Sequence, residues 1–292
     1  MATKFKLDNK SYDFFKLETQ FYDFTAPAVR IKINNTEVVK KEYMGFDSII
    51  VETSVDKSSY FTAQIVNAYE IEKRDFKWDN YLKPGLPIEI NMGYRDKFFT
   101  VFSGIITAVN YEISEEEAPK VIISGYDKSF LMMKGKKSAI WEEKKHSDIV
   151  KEIAKKYKLK TVVTDTKIQY PVAIQNQQSD YEFITYLAGL NSFEFFIIGE
   201  TLYFRKTNED KTSLITLTMF KNILEANIGI DIADQLGGVT VRGYNLKKEE
   251  IEAKANSIKP INKGDDGIAL IKKLDSKNTV HYIYDTDITK EE

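Results

Sequence analysis

The sequence predicts a mainly β protein of the α+β class, and three observations carry that expectation. Aromatic residues are abundant, with 17 Tyr and 18 Phe beside 2 Trp, and such rings suit half-buried pleated surfaces. Short runs of alternating apolar and polar residues recur between turn residues from position 27 to 129, the pattern of an antiparallel barrel or sandwich. Only two stretches, one following Ser147 and one following Ser179, carry a strong helical spacing. A length of 292 residues suits about two domains.

Residues 1–27 mix Tyr and Phe with Lys, Asp and Thr without a sustained period, and read as an N-terminal arm packed on the domain or on a neighbour. Val29, Ile31 and Ile33 then alternate with Arg30, Lys32 and Asn34, and Asn34-Asn35 offers a turn. Further strands are expected at 49–53, 60–66, 88–92, 98–109 and 121–124, with Lys83-Pro84-Gly85 and Gly93 supplying turn chemistry. The runs 98–113 and 120–126 flank an acidic tip, Glu115 to Glu117, and so form a long hairpin with a solvated end.

Ser147 is a candidate N-cap for a helix over 147–158, with Ile149, Ile153, Ala154 and Tyr157 on one face. A short strand at 161–163 follows. Gln175, Gln177 and Gln178 lead into Ser179 and Glu182, the S-x-x-E capping box of a second helix whose apolar face is Phe183, Ile184, Leu187 and Leu190. The β-rich runs 193–198 and 201–205 are parted only by Gly199-Glu200, which suits a type II′ hairpin. Strands are expected again at 214–218, 223–230 and 239–244. Val121 to Asp127 (VIISGYD) echoes Val239 to Asn245 (VTVRGYN), where Gly permits positive φ and Asp or Asn closes an Asx-turn.

Beyond Asn245 the composition turns to Lys and Glu, with a weak helical stripe at Ile251, Ala255 and Ile258. A linker around Gly264 and Gly267 and an acidic end over 285–292 complete the chain. The expected division is an arm over 1–27, a first β-barrel domain over 28–132 and an α+β segment with two helices over 133–190. Strands of a second barrel over 191–245 and a charged tail over 246–292 follow.

No catalytic constellation is legible. The absence of Cys excludes disulfides, thiolate metal sites and cysteine nucleophiles. A net charge of -2 gives no basic excess to drive nucleic-acid binding. His146 and His281 are 135 positions apart and read as surface residues. There is no G-x-S-x-G elbow, P-loop or dinucleotide loop. Among the acids, Glu115 to Glu117 fall on a hairpin tip, and Asp285 and Asp287 in the tail. Lys134, Lys136, Lys137, Lys144 and Lys145 surround Trp141 and read as a charged face flanking a buried ring. The three Gln side chains read as a loop whose amides satisfy nearby backbone groups. No catalytic, cofactor-binding or metal-binding residue is assigned, and no cofactor is expected. The N-terminus lacks the apolar core of a signal peptide, and no apolar run is long enough to span a bilayer, so synthesis in the bacterial cytoplasm without membrane insertion is expected.

The ordered series Phe102 to Ile106 (FSGII), Ser124 to Asp127 (SGYD), His146 to Ala154 (HSDIVKEIA), Ile174 to Asp180 (IQNQQSD), Phe183 with Leu187-Ala188, and Leu202 to Phe204 resembles the late control protein D family of phage tail hubs. It is similar, more distantly, to the hub portion of VgrG-type spikes. The resemblance spans residues 28–250 and implies two tube-like antiparallel β-barrel domains with an α+β insertion, assembled as a homotrimer. Three copies then present a pseudo-six-fold ring that adapts a hexameric tail tube to a trimeric spike in the baseplate of a contractile phage tail, a bacteriocin or an injection machine. The implied partners are the tail tube or a tube initiator, a separate spike protein and other baseplate proteins, since the chain lacks the OB-like domain and β-helical spike of VgrG proteins. Localisation follows: the baseplate of a virion or tail-like particle. Two rivals stay open, a carbohydrate-binding module of a tail or cell surface and a carboxylate-dependent cell-wall hydrolase.

Overall fold

The structure, a computed structural model, describes residues 3–4, 11–55, 57–206, 214–229, 231, 233, 236, 238–244, 250–255, 273 and 280–284. The chain divides into two units, Met1–Asn208 and Glu209–Glu292.

Short strands β1 (Thr3–Lys4), β2 (Pro27–Ile33), β3 (Thr36–Glu37), β4 (Gly45–Glu52) and β5 (Tyr60–Val66) open the first unit. After a small hairpin, β6 (Tyr69–Glu70) and β7 (Asp75–Phe76), come β8 (Pro87–Tyr94), β9 (Lys97–Glu112) and β10 (Lys120–Asp127). The main sheet runs β3-β2-β8-β9-β10-β5-β4, and β1 lies parallel to β9. Alternation decides which side is buried: Phe61, Ala63 and Ile65 of β5 point inward together with Ile31 and Ile33 of β2, Ile88 and Ile90 of β8, and Val121 and Ile123 of β10. Ile49 and Val51 of β4, at the far end of the sheet from β2, pack on the same core. The sheet is therefore curled around one interior, with the Phe61 and Phe102 rings 5.0 Å apart inside it.

Local chemistry sets the corners. Asn34 and Asn35 both take positive φ, 48° and 65°, as a type I′ hairpin turn requires. The acidic tip joins β9 to β10 as expected, and Glu115 to Glu117 are exposed. Gly125 departs from expectation. Its φ is not positive; instead a Cβ there would sit 1.9 Å from the Ile105 carbonyl oxygen, where the register shifts between Ser124 and Gly125. Close approach at a bulge, rather than a turn, demands the glycine. The Asx-turn does form: the Asp127 Oδ1 accepts from the Ser129 backbone N–H at 2.8 Å.

Part of the N-terminal arm packs on its own domain. Asp13 caps α1 (Phe14–Gln20), accepting from the Phe15 and Lys16 N–H groups. Phe21 and Phe24 then lie against Tyr94, and Phe21 also against Phe99.

The rest of the first unit is α+β. A four-residue turn, α2 (Val38–Lys41), and another, α3 (Ser129–Met132), precede β11 (Lys137–Lys145), α4 (His146–Lys156), β12 (Lys160–Val163), β13 (Gln169–Gln178), α5 (Asp180–Leu190), β14 (Phe193–Ile198) and β15 (Thr201–Lys206). A ribbon of β11 and β13 and a sheet ordered β12-β15-β14 enclose a second core. Ile149, Val150 and Ile153 of α4 meet Phe183, Ile184 and Leu187 of α5 and Phe195, Leu202 and Phe204 of the hairpin there. The capping box at Ser179 and Glu182 is present with both of its bonds. Gly199 has φ 60° and Glu200 does not share the positive φ, consistent with the type II′ turn.

Two expectations need correction here. Ser147 is not the cap of α4: it sits inside the first turn, where its N–H donates to Thr166 Oγ1 and its hydroxyl to Asp165 Oδ1. The stretch after α4 thus supplies the cap from outside the helix. The Gln-rich approach is a strand, not a loop, because β11 offers it a ladder from Lys137–Gln178 to Lys145–Gln169.

In the second unit β16 (Gly238–Tyr244) lies between β17 (Glu250–Ala255), antiparallel, and β18 (Val280–Tyr284), parallel. Residues 246–292 therefore contribute two strands where a charged tail was expected. Glu250-Ile-Glu-Ala-Lys-Ala255 also alternates with period two, and pairing with β16 favoured that reading over a helix. Strands at 214–218 and 223–230 are not formed over the described residues. A turn closes there instead, with Asn222 and Ile223 donating to the Thr218 carbonyl, and among the described residues no strand pairs along the segment as a ladder requires. The echo places VIISGYD and VTVRGY alike as inner strands; Asn245, Ile258, Asp285 and Asp287 lie outside the described residues.

Candidate assembly surfaces

His146, Gln175 and Gln177, three of the polar groups that drew attention in the sequence, are absorbed in structural networks. His146 is buried, not on the surface, because the start of α4 tucks beneath the end of α5. Its ring stacks on Tyr170 with centroids 4.2 Å apart, and its Nδ1 lies 2.8 Å from Asn191 Nδ2. That amide nitrogen also donates to the Leu187 carbonyl at 2.6 Å, so Nδ1 must accept and the proton belongs on Nε2. Burial holds the imidazole pKa below its ordinary value. His281 is exposed on β18.

Asp180, at the start of α5, is buried and receives Lys137 Nζ at 2.6 Å, Tyr157 OH at 2.8 Å and Gln175 Nε2 at 3.2 Å. Burial opposes its ionisation, but these donors prevail and hold its pKa below the usual carboxylate value. The same carboxylate, after burial, pushes the Tyr157 phenol well above its ordinary range. Gln175 donates to the Gln178 carbonyl as well, and Gln177 bonds Ser138 through its backbone and side chain. Two of the three glutamines thus serve neighbouring protein groups. Asp127 is likewise occupied, accepting from the Ser59 and Ser129 N–H groups, and its pKa is raised by burial.

Of the five lysines expected around Trp141, Lys144 lies at its ring, while Lys136, Lys137 and Lys145 pair with Glu182, Asp180 and Asp165. Trp141 is buried, and Lys144 and Lys156 lie 5.2 and 5.1 Å from its ring centroid. Lys134 covers Phe130. Neither tryptophan offers an open ring, since Trp78 is half-buried and donates to the Glu42 carbonyl. Among the described residues no group of three or more His, Cys, Asp or Glu could hold a metal ion, and no helix is long and apolar enough to cross a membrane.

Apolar surface was not legible in the same way. The outer edge of β4 has no strand partner among the described residues. Beside it runs a groove of about 650 Å³ lined by Ile49, Ile50, Val55, Val101, Phe196 and Ile198. The ribbon displays Ile140 and Ile174, directly opposite each other and both exposed. In the second unit Phe220, Leu224 and Ile228 are 92%, 94% and 84% exposed. The uncharged run Ser48-Ile-Ile-Val51 is the one sequence signal that marks the edge in advance.

The chain matches the family model described as the Alg8 N-terminal domain over residues 25–280. It belongs to the Alg8 N-terminal domain family. No curated protein matches. Among solved structures, this family member is similar to the 43 kDa tail protein of prophage MuSo2 from Shewanella oneidensis, with 13% identity, 91% of this chain and 75% of that chain covered and a TM-score of 0.67. It is similar also to the tail protein from Neisseria meningitidis MC58, with 12% identity, 90% and 72% covered and a TM-score of 0.58. The fold of this Alg8 N-terminal domain family member is that of phage tail proteins, in line with the resemblance carried by its motifs.

Proposed function

We propose that the chain is a non-enzymatic structural hub in the baseplate of a contractile phage tail or tail-like particle. The observation that carries this reading is the tail-protein fold over 91% of the chain. Three copies form a ring in which the curled first sheet and the sheet around β16 supply the two tube-like domains of each subunit. One side of the ring meets a tail tube or tube initiator, and the other a trimeric spike carried by a separate chain. Asp127 and Asp180 support a structural role, because each carboxylate accepts bonds on both of its oxygens inside the protein. The charged stretch over 246–292 is the candidate spike-docking segment, and its acidic end over 285–292 follows β18 in the sequence.

Co-expression with the tube and spike proteins of the same particle, followed by light scattering, tests the reading. The expected product is a complex containing three copies of this chain and one spike trimer. A monomer that ignores both proteins yet degrades cell wall would reject it. Deletion of residues 285–292 should release the spike while leaving tube binding intact; retained spike would remove the docking role.

A further inference from the structure

The N-terminal arm is tied to its own domain by a strained joint. Between α1 and β2 the chain runs Tyr22-Asp-Phe-Thr-Ala26 without a glycine, yet Tyr22, Asp23, Phe24 and Ala26 all take positive φ, from 52° to 55°. A side chain at such a φ crowds the neighbouring carbonyl, so only glycine adopts it freely. Strain of this kind persists only where surrounding contacts enforce it.

The contacts here enforce it weakly. No side chain of α1 is buried. Leu17, Phe21, Phe24, Val29, Met92 and Val101 line a groove of about 570 Å³ between arm and sheet, so the two apolar surfaces stand apart instead of interlocking. What holds the arm lies around the turn between β8 and β9: the Phe21 ring is 5.4 Å from that of Phe99, and Tyr22 OH donates to Asp96 Oδ1 at 2.8 Å. Arg95, Asp96 and Lys97 of that turn are exposed, so an arm arriving from outside can reach the same seat.

We infer that the arm is exchanged between copies: β1 and residues 11–21 of a second copy of this chain take the seat on β8 and β9, while residues 22–26 straighten into the joint between the two. The seat itself fixes the occupant. Exchange reproduces the contacts of α1 and Phe21 and the parallel pairing of β1 with β9, and it removes positive φ from the joint. The Tyr22 bond to Asp96 is exposed, and water replaces it when the joint opens. The inference stands on the arm and its joint, independently of the tail reading.

Ala26 isolates the joint for a test. It is exposed, and Thr25 before it is already extended, at φ -86° and ψ 152°, as a following proline needs. Glycine adopts positive φ freely and favours the arm closed on its own domain, whereas proline forbids that φ. In light scattering of the full-length protein, Ala26→Gly should weaken self-association by about tenfold and Ala26→Pro should strengthen it by about as much, both with unchanged circular dichroism. Equal association in the two variants, or the opposite order, overturns the proposal, as does a wild-type chain that stays monomeric at every concentration. The absence of native cysteine allows a second test, in which Leu17→Cys and Met92→Cys chains are co-expressed and treated with a short bis-maleimide. Cross-linked dimers containing one of each are expected. A doubly substituted chain that links only within itself overturns the exchange. A trimer that binds tube and spike with every link internal would sink the exchange and leave the hub standing. An exchanged oligomer that ignores tube and spike does the reverse.

Discussion

His146 shows how a residue chosen for chemistry turns out to hold a joint. Its Nδ1 can only accept from Asn191, whose amide nitrogen is committed to Leu187 as well. A second ring proton would set donor against donor. The folded pKa lies below 6.5, so the unfolded chain takes up the proton first as pH falls. The contribution of His146 to stability is therefore complete above about pH 6.5 and is lost as pH drops from there through the folded pKa. Thermal unfolding followed from pH 8 to pH 5 (on the order of the imidazole range) should show this loss. In His146→Gln the amide oxygen can still accept from Asn191, and that part of the pH dependence should vanish. An identical profile in the variant would show that His146 does not titrate on unfolding.

At the scale of elements, the capping box is the clearest local determinant. Ser179 Oγ accepts from the Glu182 N–H at 3.2 Å, and Glu182 Oε2 accepts from the Ser179 N–H at 2.7 Å. Ser179→Ala should cost about 1 kcal/mol in urea unfolding. Glu182→Ala on top of it should cost less than it does alone, because the two bonds form one motif. Full additivity would mean that the box does not act as a unit. This element was legible in the sequence because its signals are local: a cap, a 3.6-residue stripe and a two-residue hairpin loop. The Asn34-Asn35 turn and the acidic tip were legible for the same reason. Glycine at 125 was noticed but misread, since its role depends on the Ile105 carbonyl across the sheet. The strands expected at 214–230 failed for a related cause: alternation says that a segment can pair, not that a partner is present. The groove beside β4 joins residues from 49 to 205 that no spacing rule connects.

For the whole molecule, the corrected C-terminal strands change what truncation should do. Deletion from residue 246 removes both neighbours of β16 and should abolish amide-exchange protection across Gly238–Tyr244. Deletion from residue 285 should preserve it. Equal protection in the two truncations would show that β17 and β18 are dispensable to that sheet. Pairing across long stretches of chain has a further consequence in the first unit, where Arg30 must find Asn91 and Ile65 must find Val121. Hairpins such as β9 with β10 and β14 with β15 need only short loops to close, whereas these pairings wait for distant segments and slow the search. During synthesis β4 and β5 can pair before β10 has left the ribosome, so the Tyr60–Val66 edge that β10 later covers stands bare while the sheet is unfinished. In a crowded cell, correct neighbours then compete with chance ones for that edge, and rapid production of many copies would turn a folding delay into aggregation.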